Sequence, residues 1–233
     1  MSLAAQLDAV TANFKNAPAS VTGPIIKAKS DFVSTFDPSK AIRPGSTLPP
    51  FTLTDASGTA ISSSTLLSKG PLLISFYRGS WCPYCNLALR ALQKHLPALQ
   101  AKDCTLVAIS PELPDTSLST VEKNELQFPV LSDVGNRLAR QLGIVFEQPD
   151  ELRAIFDDFG HDLKGRNGDD SFVVPVPTVL LVGKDGVVRN VHVEADYTKR
   201  LEPEVAAAWI DAFFEYIEEA LHMYASVLLQ KFE

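Results

Sequence analysis

The chain has 233 residues, 45% of them apolar, and a formal charge of −7 from 28 acidic and 21 basic side chains. That length suits one embellished domain with a sizeable core, and the acidic balance without a Lys/Arg cluster argues against nucleic acid or anionic membrane as partner. No stretch approaches the roughly 18 apolar residues of a membrane span, no secretory pattern opens residues 1–20, and three cysteines are too few for a disulfide scaffold, so the cytoplasm is the default location.

Leu3, Leu7, Val10 and Phe14 recur at helical spacing and predict an amphipathic helix over 2–15. NAPASVTGP breaks it, and Ile25, Phe32, Val33 and Phe36 predict a second helix over 24–36, ending before Asp37-Pro38. RPGSTLPP (43–50) reads as an extended linker. The chain thus divides into an N-terminal helical extension, 1–43, and a main domain, 44–233, on which the two short helices are expected to pack. FTLTDASGTAI alternates about a turn at Asp55–Gly58 and predicts a hairpin. PLLISFY (71–77) and CTLVAIS (104–110) read as buried strands, and PYCNLALRALQKHLPAL (83–99) between them as a helix with Pro83 tolerated in its first turn. A helix over 115–127, a brief strand over 128–133 and helices over 135–143 and 149–160 come next. Then come the polar loop HDLKGRNGDDS, a hairpin over 177–193 turning at Lys184-Asp185-Gly186, and a long helix from 203 to about 230. Its apolar stripe is Trp209, Phe213, Ile217, Tyr224 and Leu228; Tyr216, Met223, Leu229 and Phe232 fall beside it and suggest cover for the N-terminal helices or a homodimer contact. The alternation implies an α/β fold, a mixed central sheet flanked by helices. A right-handed crossover over 71–110 puts Cys82-Pro83-Tyr84-Cys85 where strand hands over to helix, the end at which open α/β sheets bind ligands.

Cys82 sits at the start of the 83–99 helix, where free N–H groups and the helix dipole favour a thiolate, a placement that can bring a thiol from about 8.5 into the range ~3.5–7.5. Cys85, one turn deeper, is within disulfide reach, and such a pair is the minimum equipment for reversible two-electron redox chemistry. Trp81 either shields the thiolate or packs in the core, Arg78 either stabilises the thiolate or pairs on the surface, and Tyr84 with Pro83 stiffens the link. Pro177 opens a strand. A cis Val176–Pro177 bond would turn the Val176 backbone toward an extended substrate, although strand mechanics alone favour a plain trans proline. Cys104 reads as a small buried hydrophobe. His95, His161, His192 and His222 stand singly, short of the four ligands of a structural zinc site, so neither metal nor cofactor is expected.

FYRGSWCPYCN, LVAISPELPDTSLSTVEKN, FPVLSDVGN, PVPTVLLVGKDGVV and ADYTKRLEPE together resemble the thioredoxin superfamily, and within it the peroxiredoxin-like branch of the AhpC/TSA family (alkyl hydroperoxide reductase and thiol-specific antioxidant). The resemblance implies a thioredoxin-like fold and a redox or antioxidant enzyme. Two departures bear on mechanism. The family pattern Pro-x-x-x-Thr-x-x-Cys, laid without gaps, places its peroxide-attacking cysteine on Cys85, its threonine on Cys82 and its proline on Arg78. The family's peroxide-site arginine falls on Pro177. A second cysteine and a Pro-Thr are the equipment of a disulfide oxidoreductase, and Cys-Pro-Tyr-Cys is also the tetrapeptide of dithiol glutaredoxins. The expectation is a thiol–disulfide oxidoreductase, with Cys82 attacking, Cys85 resolving, thioredoxin or glutathione as reductant, and a cis Val176–Pro177 bond beside Cys82. The alternative is a thiol peroxidase in which Cys85 attacks a hydroperoxide and Cys82 resolves. A metal or iron–sulfur module ranks below both.

Overall fold

The computed structural model describes residues 1–229. Two helices lead the chain, α1 (Leu3–Phe14) and α2 (Ala19–Thr35). β1 (Thr52–Asp55) and β2 (Ala60–Ser62) form the expected hairpin, and α3 (Ser63–Lys69) follows. β3 (Leu72–Phe76), α4 (Pro83–Gln100) and β4 (Thr105–Ser110) make the crossover. Next come α5 (Pro114–Asn124), β5 (Val130–Ser132), α6 (Arg137–Gln141), β6 (Val145–Glu147), α7 (Arg153–Asp158) and α8 (Leu163–Asn167). β7 (Val173–Pro175), the hairpin β8 (Thr178–Val182) and β9 (Val188–Val193), and α9 (Pro203–Leu229) complete the order.

The main sheet has seven strands in the order β2-β1-β5-β4-β3-β8-β9. β3, β4 and β5 run parallel and the other neighbours antiparallel. β3 is covered on both faces, which is why its apolar residues run almost without alternation. Leu72, Ile74 and Phe76 enter one core with Val107, Ile109 and Leu180. Leu73 faces the opposite core with Leu106, Ala108 and the Leu89, Leu92 and Leu96 row of α4. The N-terminal helices reach both cores. Leu3 and Leu7 of α1 are buried in the α4 core, and α2 contributes Ala28 to the other, with the Phe32 ring 4.2 Å from that of Phe146.

Several elements differ from expectation. α2 begins at Ala19 rather than 24 and carries Pro24 inside it. A proline near the start removes a single amide donor, and packing of Ile25, Ala28 and Phe32 holds the helix through it. The 43–50 linker is extended but bound along the β8–β9 hairpin: Gly45 donates to Val188 O at 2.8 Å and Leu48 to Gly186 O at 2.9 Å. α3 is too short to show a period, although Ser62 caps it by accepting from the Thr65 N–H at 3.1 Å. α8 lies in the expected polar loop and is capped by Asp162, which accepts from the Gly165 N–H at 2.8 Å. β6 and β7 pair only with each other, so neither announces itself locally. Trp209, Phe213 and Ile217 of α9 pack on the α4 core as the stripe predicts, and Tyr216 is 68% exposed. The side chains of Met223, Tyr224, Leu228 and Leu229, and Phe232 entirely, lie outside the described residues. Among the described residues no helix is long and apolar enough to cross a membrane.

The segment 194–202, between β9 and α9, is fastened by the N-terminal helices. Glu202 accepts from the Leu3 N–H at 3.1 Å and the Ala4 N–H at 2.7 Å, capping α1 with a carboxylate where the helix dipole favours one. Lys29 of α2 pairs with Asp196 at 3.1 Å, and Asp196 also accepts from Thr198 Oγ1 at 2.7 Å. Glu202→Ala should therefore lower unfolding free energy by roughly 1 kcal/mol and expose α1 to proteolysis, as urea titration and limited digestion will measure. An unchanged midpoint and digestion pattern would show the cap to be idle.

Candidate active site

β3 ends at Phe76, and the chain turns through 77–82 into α4. Gly79 stands at φ 146°, and a Cβ there would lie 2.4 Å from Trp81 Nε1. Only glycine lets the indole fold back at this point. Glu112, just beyond β4 and fully buried, fixes the turn: it accepts from the Ser80 N–H at 2.8 Å and from Ser80 Oγ at 2.7 Å. Burial pushes its carboxyl up to about 7 against those hydrogen bonds. Arg166 of α8 adds a donor to Ser80 Oγ at 3.1 Å.

Cys82 is the N-cap of α4, with Pro83 at the first helical position; its carbonyl accepts from the Cys85 and Asn86 N–H groups, both at 3.1 Å. Both thiols are free and 0% exposed. The neighbouring Cys82 thiol favours the Cys85 thiolate. Arg200, from the 194–202 segment, donates through Nη2 to Cys85 Sγ at 3.2 Å. Arg78 places Nη1 4.0 Å from Cys82 Sγ and donates through Nη2 to Gln148 Oε1 at 2.9 Å. Its guanidinium lies 4.0 Å from the Tyr197 ring centroid and 4.7 Å from that of Trp81.

The electrostatics reverse the order of the two thiols expected from sequence. Burial opposes ionisation of Cys85, yet the Cys82 thiol, the Arg200 and Arg78 guanidiniums and the Arg78 backbone N–H outweigh it and bring Cys85 to about 5. Burial, then the hydrogen bond to Cys85 and its negative charge, push Cys82 well above the ordinary range. The helix N-terminus acts on both sulfurs, whereas a guanidinium in contact acts on one, and the nearer charge wins. Cys104 sits apart, and burial pushes its thiol up to about 12.

A cavity of about 160 Å³ opens on the site. Cys82, Arg78, Trp81 and Tyr84 line one side, Phe14 and Ile25 of the N-terminal helices another, and Cys85 is not in its wall. Tyr84 is tied to α1 by a 3.1 Å hydrogen bond with Thr11 Oγ1. The structure thus brings Cys82, Cys85, Arg78, Trp81 and Tyr84 together. Val176 and Pro177 stay out. The bond between them is trans, no cis peptide occurring among the described residues. The Val176 N–H donates to Ile144 O at 2.7 Å and its carbonyl accepts from Thr178 Oγ1 at 2.9 Å, so no backbone group there is left for a substrate. Neither residue borders the Cys82 cavity. Sequence reasoning passed over Arg200, Tyr197, Gln148 and Glu112. The available signal was ADYTKRLEPE, which holds Tyr197 and Arg200. Among the described residues no three His, Cys, Asp or Glu side chains gather as metal ligands.

The AhpC/TSA family model matches residues 44–191. The chain belongs to the AhpC/TSA family. It is a thiol oxidoreductase of the thioredoxin-like fold. It is 29% identical over 160 residues to chloroplastic peroxiredoxin Q of Sedum lineare, spanning 69% of this chain and 71% of that protein. It is 23% identical over 167 residues to the thiol-disulfide oxidoreductase ResA of Bacillus thuringiensis, spanning 68% of this chain and 79% of that one. The crystal structure of peroxidoxin BcpB from Mycobacterium tuberculosis superposes with a TM-score of 0.57 at 22% identity, covering 73% of this chain and 97% of that one. Arg200 reaches the Cys85 sulfur from the segment after β9, not from the strand start occupied by Pro177.

Arg200→Met should raise the Cys85 pKa by about one to three units. The pH dependence of haloacetamide alkylation, localised to Cys85 by mass spectrometry, measures it. A midpoint still near 5 would show that Arg200 does not hold the thiolate.

Proposed function

We propose that the protein is a thiol peroxidase in which Cys85 attacks a hydroperoxide and Cys82 resolves. The observation that carries the reading is the Cys85 sulfur itself, with Arg200 Nη2 at 3.2 Å, the neighbouring Cys82 thiol, and a pKa of about 5. Above that pH Cys85 is a thiolate, the form that attacks peroxide. The thiolate takes the distal peroxide oxygen, the O–O bond breaks, and the alcohol leaves with a proton. The Cys85 sulfenic acid then condenses with the Cys82 thiol, releasing water and leaving a Cys82–Cys85 disulfide. A thiol reductant returns the pair to the dithiol. Family membership and the likeness to peroxiredoxin Q support the same reading, and a cytoplasmic setting would keep the pair reduced between turnovers. One observation favours a second reading, disulfide reduction led by Cys82: Cys82, and not Cys85, borders the cavity.

Single-turnover peroxide consumption separates the two. Cys82→Ser should still consume one equivalent rapidly and leave a trappable sulfenic acid on Cys85, while Cys85→Ser should consume none. The reverse pattern would assign the attack to Cys82. The pH profile follows from the sign of the shift. Because the Cys85 pKa is depressed, the thiolate is present above about 5 and is lost as pH falls through that value. Wild-type peroxide consumption should accordingly hold steady from pH 8 down to about 6 and fall below about 5; a rate that falls steadily from pH 8 would mean the attacking thiol is unperturbed.

A further inference from the structure

Only one of the paired cysteines borders the cavity. Cys82 lines it and Cys85 does not. A thiolate entering there meets the Cys82 sulfur of an oxidised pair and displaces Cys85, the sulfur on which Arg200 rests at 3.2 Å. Exchange is faster at the sulfur that can be reached and with the leaving thiolate that is better stabilised. Here both criteria select the same direction of attack.

The cavity wall decides which thiol enters. Phe14, Ile25, Leu152, Phe156 and Phe159 make it apolar, and no carboxylate lines it. Lys29, at its edge, is already paired with Asp196 at 3.1 Å. Three donors in the lining, Arg78 Nε, Gln148 Nε2 and Trp81 Nε1, are buried without a hydrogen-bond partner, and Arg78 and Gln148 are only 4% and 2% exposed. Buried donors of this kind call for an acceptor. An ammonium group would find no counter-charge in this wall and would face the Arg78 guanidinium, so it would leave its hydration behind uncompensated.

We propose that this cavity admits the reductant, that its thiolate attacks Cys82, and that it is a thiol on an apolar body without an ammonium group, whose carbonyl, amide or carboxylate oxygen is received by Arg78 and Gln148. The proposal takes the disulfide from the peroxidase reading, but its own chemistry begins at the disulfide. The incoming thiolate forms an S–S bond to Cys82 as the Cys82–Cys85 bond breaks, and the electron pair leaves on Cys85. A second thiolate attacks the reductant's sulfur in the mixed disulfide. It releases the oxidised reductant, and Cys82 departs as a thiolate that takes a proton. Two thiols supply the two electrons that the disulfide accepts.

The test starts from the full chain oxidised with diamide, so a failure of peroxide chemistry leaves it standing. Stopped-flow tryptophan fluorescence follows reduction by N-benzyl-2-sulfanylacetamide and by glutathione at equal thiolate concentration. The neutral amide thiol should react at least tenfold faster, and acid quenching with fragment-ion mass spectrometry should place its adduct on Cys82. Phe159→Ser, at a position 47% exposed and so safe for folding, should cut that preference at least threefold. Glutathione matching the amide thiol, an adduct on Cys85, a preference untouched by Phe159→Ser, or a pair that diamide leaves unoxidised would each overturn the proposal.

Discussion

A sulfur buried at 0% exposure carries negative charge only if the protein replaces the water it has lost, and here the Cys82 thiol, Arg200 and Arg78 do so. Desolvation alone would hold Cys85 neutral; contact with one guanidinium, proximity to a second and a neighbouring thiol reverse the outcome. The rest of the architecture supports that contact. Arg200 lies on an irregular segment that would wander if unfastened, and both N-terminal helices fasten it, α1 through Glu202 and α2 through the Lys29–Asp196 pair. The helical extension, outside the part matched by the family model, thus holds the segment that carries Arg200.

Cys82 occupies the place where the family pattern has threonine, and its thiol favours the Cys85 thiolate, as a hydroxyl there would in the proposed cycle. In the proposed cycle this arrangement also times the second step. The negative charge on Cys85 is one of the causes that keep Cys82 protonated. Once Cys85 becomes a neutral sulfenic acid that cause disappears, while Arg78 and Arg200 still favour the Cys82 thiolate. Cys82 becomes the better nucleophile at the moment it has something to attack.

Much of the fold was legible because it is written in local periods. The apolar runs of β3 and β4, the helix between them and the CxxC at their junction stand in the chain as the structure has them. The short or mutually dependent pieces were not legible: α3 and α8 have too few turns to show a period, and β6 and β7 become strands only by finding each other. At the site the limits were geometric. Arg78, Trp81 and Tyr84 could be nominated because they neighbour the cysteines. Arg200, Gln148 and Glu112 come from distant segments and are fixed by tertiary packing alone. Laying the family pattern on the chain without gaps sought the arginine at Pro177, where the backbone is trans and fully committed. Ranking the thiols by distance from a helix end then favoured Cys82, because the charge that decides the matter was invisible.

The central claim is that Cys85, and not Cys82, is the thiolate near neutrality. Ultraviolet titration of thiolate absorbance in the wild-type protein and in Cys82→Ser, whose hydroxyl can still donate, tests it most directly. The account predicts one group ionising near about 5 in the wild type and a thiolate still present near neutrality once Cys82 is serine. Loss of that thiolate in Cys82→Ser would place the charge on Cys82 and contradict the account.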